Sequence, residues 1–338
     1  MHQVNVTEVE LTDSVLFHGW YEAVQEVWTG AWPGDPPWAS EEVTQELFAD
    51  REDDERILFV ATAADGEVVG AAEVALPKKD NLHIAHVKAS VRPAHRGSGF
   101  GRALLEVAEQ CASDNSRTVH LSDTSGRTAT LESREARFAV AAGFSLARRE
   151  VRRELTLPLK RKRIEELETA CSRSAAGYRL VSWSRSCPTE LVAGRAWLDS
   201  TLSADEPRGD LDLEDEQIDA ARVRRWETNL AKTGRELVGS GAISEVTGEL
   251  VAFTELGLPR PGDDVAIQFA TVVAREHRGH RLGIFVKLAN LKLVADQAAK
   301  PARITTWNGE SNEHMIRVNE AFGFEIIGTA FNWQKALG

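Results

Sequence analysis

Val91-Arg92-Pro93-Ala94-His95-Arg96-Gly97-Ser98-Gly99-Phe100-Gly101-Arg102-Ala103-Leu104-Leu105 is the stretch on which the reading of this chain turns. It predicts a strand end, a tight glycine turn and the first turns of an apolar helix. Gly97, Gly99 and Gly101 fall on alternate positions, so the backbone can bend until successive N–H groups point inward. A helix starting near Gly99 adds the positive end of its dipole, and Arg96 and Arg102 add charge at the rim. Such a loop is built to cradle a pyrophosphate.

Spacing excludes two phosphate-binding loops. The Walker-type loop needs Lys and then Ser or Thr after its last glycine, and Arg102-Ala103 stands there instead. The dinucleotide fingerprint needs a third glycine where this chain has Arg102, and a strand running straight into the first glycine, whereas Pro93 to Arg96 intervene. What remains, Val-x-Pro-x-x-Arg-Gly-x-Gly-x-Gly, resembles the acetyl-CoA loop of the GNAT superfamily of N-acetyltransferases. That signature, Arg/Gln-x-x-Gly-x-Gly/Ala between a strand and a helix, is filled by Arg96, Gly99 and Gly101.

The motif recurs. His277-Arg278-Gly279-His280-Arg281-Leu282-Gly283 follows an apolar run at 266–273 and precedes an apolar-periodic helix with Phe285, Leu288, Leu291 and Val294. Its surroundings recur too: 65–74 matches 247–256 as a hairpin turn entering a strand. Gly66 to Gly248 spans 182 positions and so does Arg96 to Arg278, while Ala142-Gly143-Phe144 and Phe322-Gly323-Phe324 are offset by 180. Three landmarks at nearly one offset indicate a duplicated domain. The expected division is 1–158 with the intact loop, a charged linker at 159–177 around Lys160-Arg161-Lys162-Arg163, and 178–338 with a degenerate loop.

At 338 residues the chain has room for two cores, and 42% hydrophobic with 27% charged residues is a globular composition. No apolar run is long enough to span a bilayer, no leader follows Met1, and a cytoplasmic protein is expected. Cys111, Cys171 and Cys187 lack metal-ligand spacing and read as reduced thiols. A net charge of −12 argues against nonspecific nucleic-acid binding and suits a cationic small substrate. Oligomeric state is not legible.

The expected fold is mixed α/β, with two tandem GNAT-like domains, each a largely antiparallel, partly splayed sheet flanked by helices. In the first copy helices are expected at 15–28, 41–49, 101–112 and 132–142, with strands at 57–63, 68–76, 82–91, 118–121, 144–147 and 151–157. In the second, helices are expected at 190–199, 214–230 and 312–322, with strands at 237–246, 250–258, 265–273, 303–306 and near 326 and 331.

The resemblance implies acetyl-CoA as acyl donor, no metal, and an amine that attacks the thioester directly. An acid or water-linked base on the fourth strand takes the amine proton, a backbone N–H there steadies the oxyanion, and a Tyr on the last helix often protonates the thiolate. It places the cofactor on Ala89, Val91, Arg96, Gly97, Ser98, Gly99, Phe100, Gly101 and Arg102. The matching positions of the second half are Arg278, Gly279, His280, Arg281 and Gly283, where Arg281 replaces the first required glycine and crowds the approach to the backbone. His86, ten residues before Arg96, is the candidate base; His83 and His120 also titrate. Glu255 and Gln268 are expected to face the second substrate gap, although completing a hydrogen-bond network is the simpler role for either. Ala139 and Asn319 stand where Tyr is common, and Asn319 is the remaining catalytic candidate. Trp20, Trp28, Trp32 and Trp38 fall where such proteins place substrate-contacting helices and would suit an aromatic acceptor wall, although core packing is the simpler role for most tryptophans. The expected substrate is a primary amine of a small molecule, antibiotic or peptide natural product, with neither nucleic acid nor membrane as partner. The missing Tyr residues support a second reading, a non-catalytic acyl-CoA-binding or regulatory module.

Overall fold

The computed structural model describes residues 4–10, 12–37, 43–44, 47, 52–297 and 300–337. In chain order the elements are β1 (Asn5–Glu8), α1 (Ser14–Ala31), β2 (Asp54–Thr62), β3 (Val68–Pro77), β4 (Ile84–Val91), α2 (Phe100–Asp114), β5 (Val119–Gly126), α3 (Arg134–Ala141), β6 (Ser145–Thr156) and α4 (Arg161–Ser172). They continue as β7 (Tyr178–Ser184), α5 (Val192–Asp205), α6 (Ala220–Lys232), β8 (Leu237–Ser244), β9 (Leu250–Gly257), β10 (Val265–Val273), α7 (Leu282–Ala295), β11 (Arg303–Gly309), α8 (Glu313–Phe322) and β12 (Glu325–Ala336). This is a mixed α/β fold of mostly antiparallel sheets flanked by helices. Some helices begin where a side chain caps the free N–H groups: Asp13 accepts from Val15 and Leu16, and Asp219 from Arg222. The second helix expected from residue 214 therefore starts only at Ala220.

Two compact units form, and neither is continuous in sequence. The first comprises Met1–Glu150, Arg208–Glu214 and Gly328–Gly338; the second comprises Val151–Pro207 and Asp215–Ile327. In the first, the strand order is β1-β2-β3-β4-β5-β12, with β4 and β5 parallel and the other pairings antiparallel. In the second it is β6-β11-β10-β9-β8-β7, with β10 and β11 parallel. The final strand of each sequence half thus completes the sheet of the other unit.

Two expected pairs of short strands are single strands. Residues 144–147 and 151–157 merge into β6, and the segments near 326 and 331 merge into β12. Arg148-Arg149-Glu150 contains neither Gly nor Pro, so nothing breaks the ladder there. β1 and β7 were not expected at all. The helix expected at 41–49 lies mainly outside the described residues, as does Trp38.

The first core shows how the sheet acquires two different faces. Odd positions of β4, Ala85 and Val87, pack with Leu104, Leu105 and Ala108 of α2 and with Phe331 and Trp333 of β12. On the opposite face, Trp20 and Ala23 of α1 cover Leu58, Val60 and Ala71, and Trp20 Nε1 donates to Ala72 O at 2.9 Å. Even positions of β4 therefore open towards the α1 side. At the start of that face Leu211 and Leu213 of the 208–214 segment pack on Ile84, Val119 and Leu121. In the second unit, the charged linker segment forms the helix α4, and its Leu167 and Cys171 are buried with Val238, Leu256 and Leu288.

Candidate active site

β4 and β5 pair only through Ile84–Val119, Ala85–His120 and His86–Leu121, and beyond that point the strands part. Arg92 N–H donates to Val69 O, which fixes the even-numbered N–H groups of β4 towards β3. Because peptide groups alternate along a strand, those of Val87, Ala89 and Val91 point into the opening. Ala89 and Val91, expected as cofactor contacts, thus offer backbone N–H groups to the gap, while Val91 O takes the Arg96 Nε–H at 3.1 Å.

At the mouth of the gap the chain makes a short turn at Pro93–His95 and then the glycine loop. Gly97 and Gly99 have φ of 85° and 91°, conformations that favour glycine. The N–H groups of Gly97, Ser98, Gly99, Phe100 and Gly101 donate to none of the described residues. Five free donors at a helix N-terminus make an anion-binding nest. Arg96 is also paired with Glu135 at 3.3 Å, and Arg102 lies further out with Glu106. The residues present fit a diphosphate at the loop and a slender chain running down the gap.

The α1 face beside the gap carries a row of charge. Arg56 pairs with Asp54 at 3.0 Å and with Glu73, and Lys88 Nζ lies 2.7 Å from Asp123. His86, an exposed residue, stands among them at the last paired position. Enclosure by protein, then the charges of Lys88 and Arg56, hold its pKa below the ordinary histidine value against Asp123 and Glu73. A neutral imidazole facing the acceptor side can take up a proton. His83 lies at the closed end, against Asp212 and Glu214 of the 208–214 segment. His120 is fully buried on the opposite face near Glu109. Trp20 and Trp32 are core residues rather than crevice wall. Lys88, Asp123, Glu73 and Arg56 escaped sequence reading; the available signal was the alternation His86-x-Lys88 on a strand whose odd positions are apolar.

The second unit repeats the scaffold with different contents. β10 and β11 pair at Val265–Ile267 and then separate, with a bulge in β10 between Gln268 and Thr271. Its loop follows the same path: Gly279 has φ 87°, and Arg281 takes the left-handed turn at φ 55° that Gly99 takes in the first. An L-residue there costs roughly 1–2 kcal/mol. Arg278 and Arg275 both clasp Asp205, His280 meets Ser174 O at 3.2 Å, and Tyr178 Oη meets His277 Nδ1 at 2.9 Å. Gly283 sits in the first turn of α7, with Val318 3.5 Å from where a Cβ would stand.

The candidates of the second half are engaged inside the unit. Glu255 is fully buried, with Arg195 Nη2 at 2.7 Å and Trp183 Nε1 at 3.2 Å, and Arg195 also binds Asp199. Burial pushes Glu255 upward and Asp199 to about 6. Gln268 Nε2 donates to Thr254 Oγ1 at 3.0 Å and Glu255 O at 2.8 Å. Asn319 is buried, accepting from Lys287 Nζ at 3.0 Å and donating to Asn308 Oδ1 at 2.6 Å. Among the described residues, no cluster of His, Cys, Asp and Glu could hold a metal ion, and no helix is long and apolar enough to cross a membrane.

The model of the acetyltransferase (GNAT) family matches residues 17–130, which hold the first loop and gap. An aminoglycoside N(6')-acetyltransferase type 1 of Stenotrophomonas maltophilia is 40% identical over 92 residues, 25% of this chain and 56% of that protein. The chain thus spans about half the length of the curated relative it matches. Among solved structures, a tandem GNAT protein from the clavulanic acid biosynthesis pathway, without AcCoA, aligns at TM-score 0.78 and 26% identity, covering 99% of both chains. A GCN5-related N-acetyltransferase from Sphaerobacter thermophilus shares the fold at TM-score 0.64 and 15% identity, covering 99% of this chain and 96% of that one. With the loop, the splayed strands and the duplicated order already in place, these matches show that residues 17–130 match the acetyltransferase (GNAT) family and that the chain along its length is similar to a tandem GNAT protein.

Proposed function

We propose that this protein is an acetyl-CoA-dependent N-acetyltransferase acting on a primary amine of a small molecule, with its chemistry in the first unit. The observation that carries this reading is the nest of five free N–H groups at Gly97–Gly101, opening onto a gap whose α1 side bears a neutral histidine. Acetyl-CoA, when bound, supplies an acetyl thioester open to direct attack by an amine. Gly97 to Gly101 hold the diphosphate, the dipole of α2 adds attraction, and the N–H groups of Ala89 and Val91 meet the pantetheine arm. A gap-facing N–H of β4 steadies negative charge on the carbonyl oxygen. His86 accepts the proton that the amine sheds, directly or through water.

The second unit is assigned a supporting role. Asn319 and Ala139 replace Tyr, and Asn319 is locked between Lys287 and Asn308, so neither of these positions offers a phenol, and the thiolate released as the C–S bond breaks takes its proton from solvent. We place the copies at 1–158 and 178–338, joined through 159–177, in a cytoplasmic enzyme. The similarity to an aminoglycoside acetyltransferase supports a polar polyamine acceptor over a peptide. The test is release of free thiol from acetyl-CoA over a panel of kanamycin, spermidine and glycylglycine, alongside mass spectrometry for co-purified CoA. Tight acetyl-CoA binding with no thiol released by any amine would favour the non-catalytic acyl-CoA-binding module instead.

A further inference from the structure

We propose that the 208–214 segment is the end stop of the first crevice: Leu211 and Leu213 wall it off beside His86, so that an acceptor is admitted only with its reacting amine at a tip. The inference rests on the crevice being an amine site, as argued above. In sequence the segment lies between α5 and α6, yet it folds with the first unit. Its leucines pack on Ile84, Val119 and Leu121, which form the α1 face of the short parallel ladder. Leu121 pairs with His86, and beyond that pair the strands part.

Burial along this face marks where the cover ends. Ile84 and Leu121 are buried, whereas His86 is exposed and Asp123 half-buried, one step further along each strand. Two residues of strand span roughly 6–7 Å, so the rim of the segment stands about that far from the proposed base. Leu211 and Leu213 are themselves only half-buried, and part of each stays open beyond its contact with the sheet.

The segment is anchored on both sides of these leucines. A Cβ on Gly209, whose φ is 62°, would clash with Ala147 O, and Asp210 N–H donates to that same oxygen at 2.9 Å. Asp212 N–H donates to Gln334 Oε1 at 2.7 Å. Glu214 N–H donates to Asn81 Oδ1 at 2.7 Å, and its carboxylate takes the Asn81 N–H at 3.1 Å. Alternate N–H groups are thus tied down, and the two leucines between them are held in place. Polar bulk pushed against them would lose water and gain no partner. The substrate class this selects is an amine at the end of a chain or on an aminomethyl stem, with the rest of the molecule directed towards the mouth, rather than an amine on a ring carbon flanked on both sides.

The test compares thiol release from acetyl-CoA with spermidine, whose primary amines end unbranched chains, and with 2-deoxystreptamine, whose amines sit on ring carbons. Variants of the full chain are Leu211→Ala/Leu213→Ala and Asn81→Gly, which keeps the left-handed turn at Asn81 (φ 56°) and removes the anchor of Glu214. In both, kcat/KM for 2-deoxystreptamine relative to spermidine should rise by about fivefold or more, with acetyl-CoA affinity within about twofold of wild type. A ratio within twofold of wild type in both variants, or an equal loss for the two amines, would overturn the end stop and leave the transferase reading standing. Should no amine release thiol, calorimetric binding of the same two amines in the presence of CoA reads the same ratio. A shift there would keep the end stop and sink the transferase reading alone, and no amine binding to wild type or variants would sink both.

Discussion

Gly99 separates binding from folding at the level of one residue. A Cβ built there meets nothing within 4 Å, so the structural penalty of Gly99→Ala is the left-handed backbone, roughly 1–2 kcal/mol. The cradle, in contrast, loses the bare backbone that a diphosphate must approach. The variant should melt a few degrees lower yet show no acetyl-CoA binding by calorimetry; retained affinity, with loss on altering Arg278 instead, would move the cofactor to the second loop. His86 is tested by pH. Its depressed pKa means that the proton-accepting form is already dominant near neutrality, so kcat/KM should rise with pH along a limb lying below 6.5 and then level off. His86→Asn should remove that limb and lower kcat by about 10²- to 10⁴-fold. An unchanged rate would take the base role away from His86.

Among elements, α7 shows what duplication preserves and what it discards. At the 182 offset, Leu105 of α2, a core residue, becomes Lys287 of α7, which is buried without a carboxylate partner among the described residues. Its contacts are Asn319, which bonds onward to Asn308, and the Phe324 ring at 5.1 Å. Burial drives its pKa down to about 7. The unfolded chain then holds the proton more tightly than the folded one, so the native state is penalised fully below pH 7 and the penalty fades as pH rises towards 10. Each unit of depression corresponds to about 1.4 kcal/mol. Lys287→Met should raise stability in chemical denaturation at pH 6, with the gain shrinking at pH 9. A gain independent of pH would mean that Lys287 stays charged through a partner. The Gly-x-Gly loops and the helices after them were legible because turn chemistry and 3.6-residue periodicity are local signals. The charged row of Arg56, Glu73, Lys88 and Asp123 was not, because it joins single polar positions on four strands, and only the register brings them together.

The exchange of final strands sets the limits of the molecule as a whole. From sequence, 1–158 reads as a complete copy, and strand periodicity alone cannot say which sheet a strand joins. In the structure β5 is covered by β12 from Thr329–Gly126 to Ala336–Val119, and Phe331 and Trp333 enter the core beneath α2. Leu211 and Leu213 seal the other face at Ile84 and Leu121. A fragment ending at 158 would lack all of these. Phe331 and Trp333 alone contribute about 1.5–3 kcal/mol each by burial, a large part of the 5–15 kcal/mol that ordinarily holds a domain together. Loss of β12 also bares β5 as an unpaired edge, a template for aggregation. Residues 1–158 expressed alone should therefore be insoluble or should associate, and should not bind acetyl-CoA. Joining residues 325–338 to that fragment through a flexible Gly/Ser linker should restore a soluble species and a measurable part of the cofactor affinity. The two outcomes are read by sedimentation and by calorimetry. A monomeric 1–158 fragment that melts cooperatively and binds acetyl-CoA as the full chain does would show that β12 is dispensable, and that each half closes its own sheet when the other is absent.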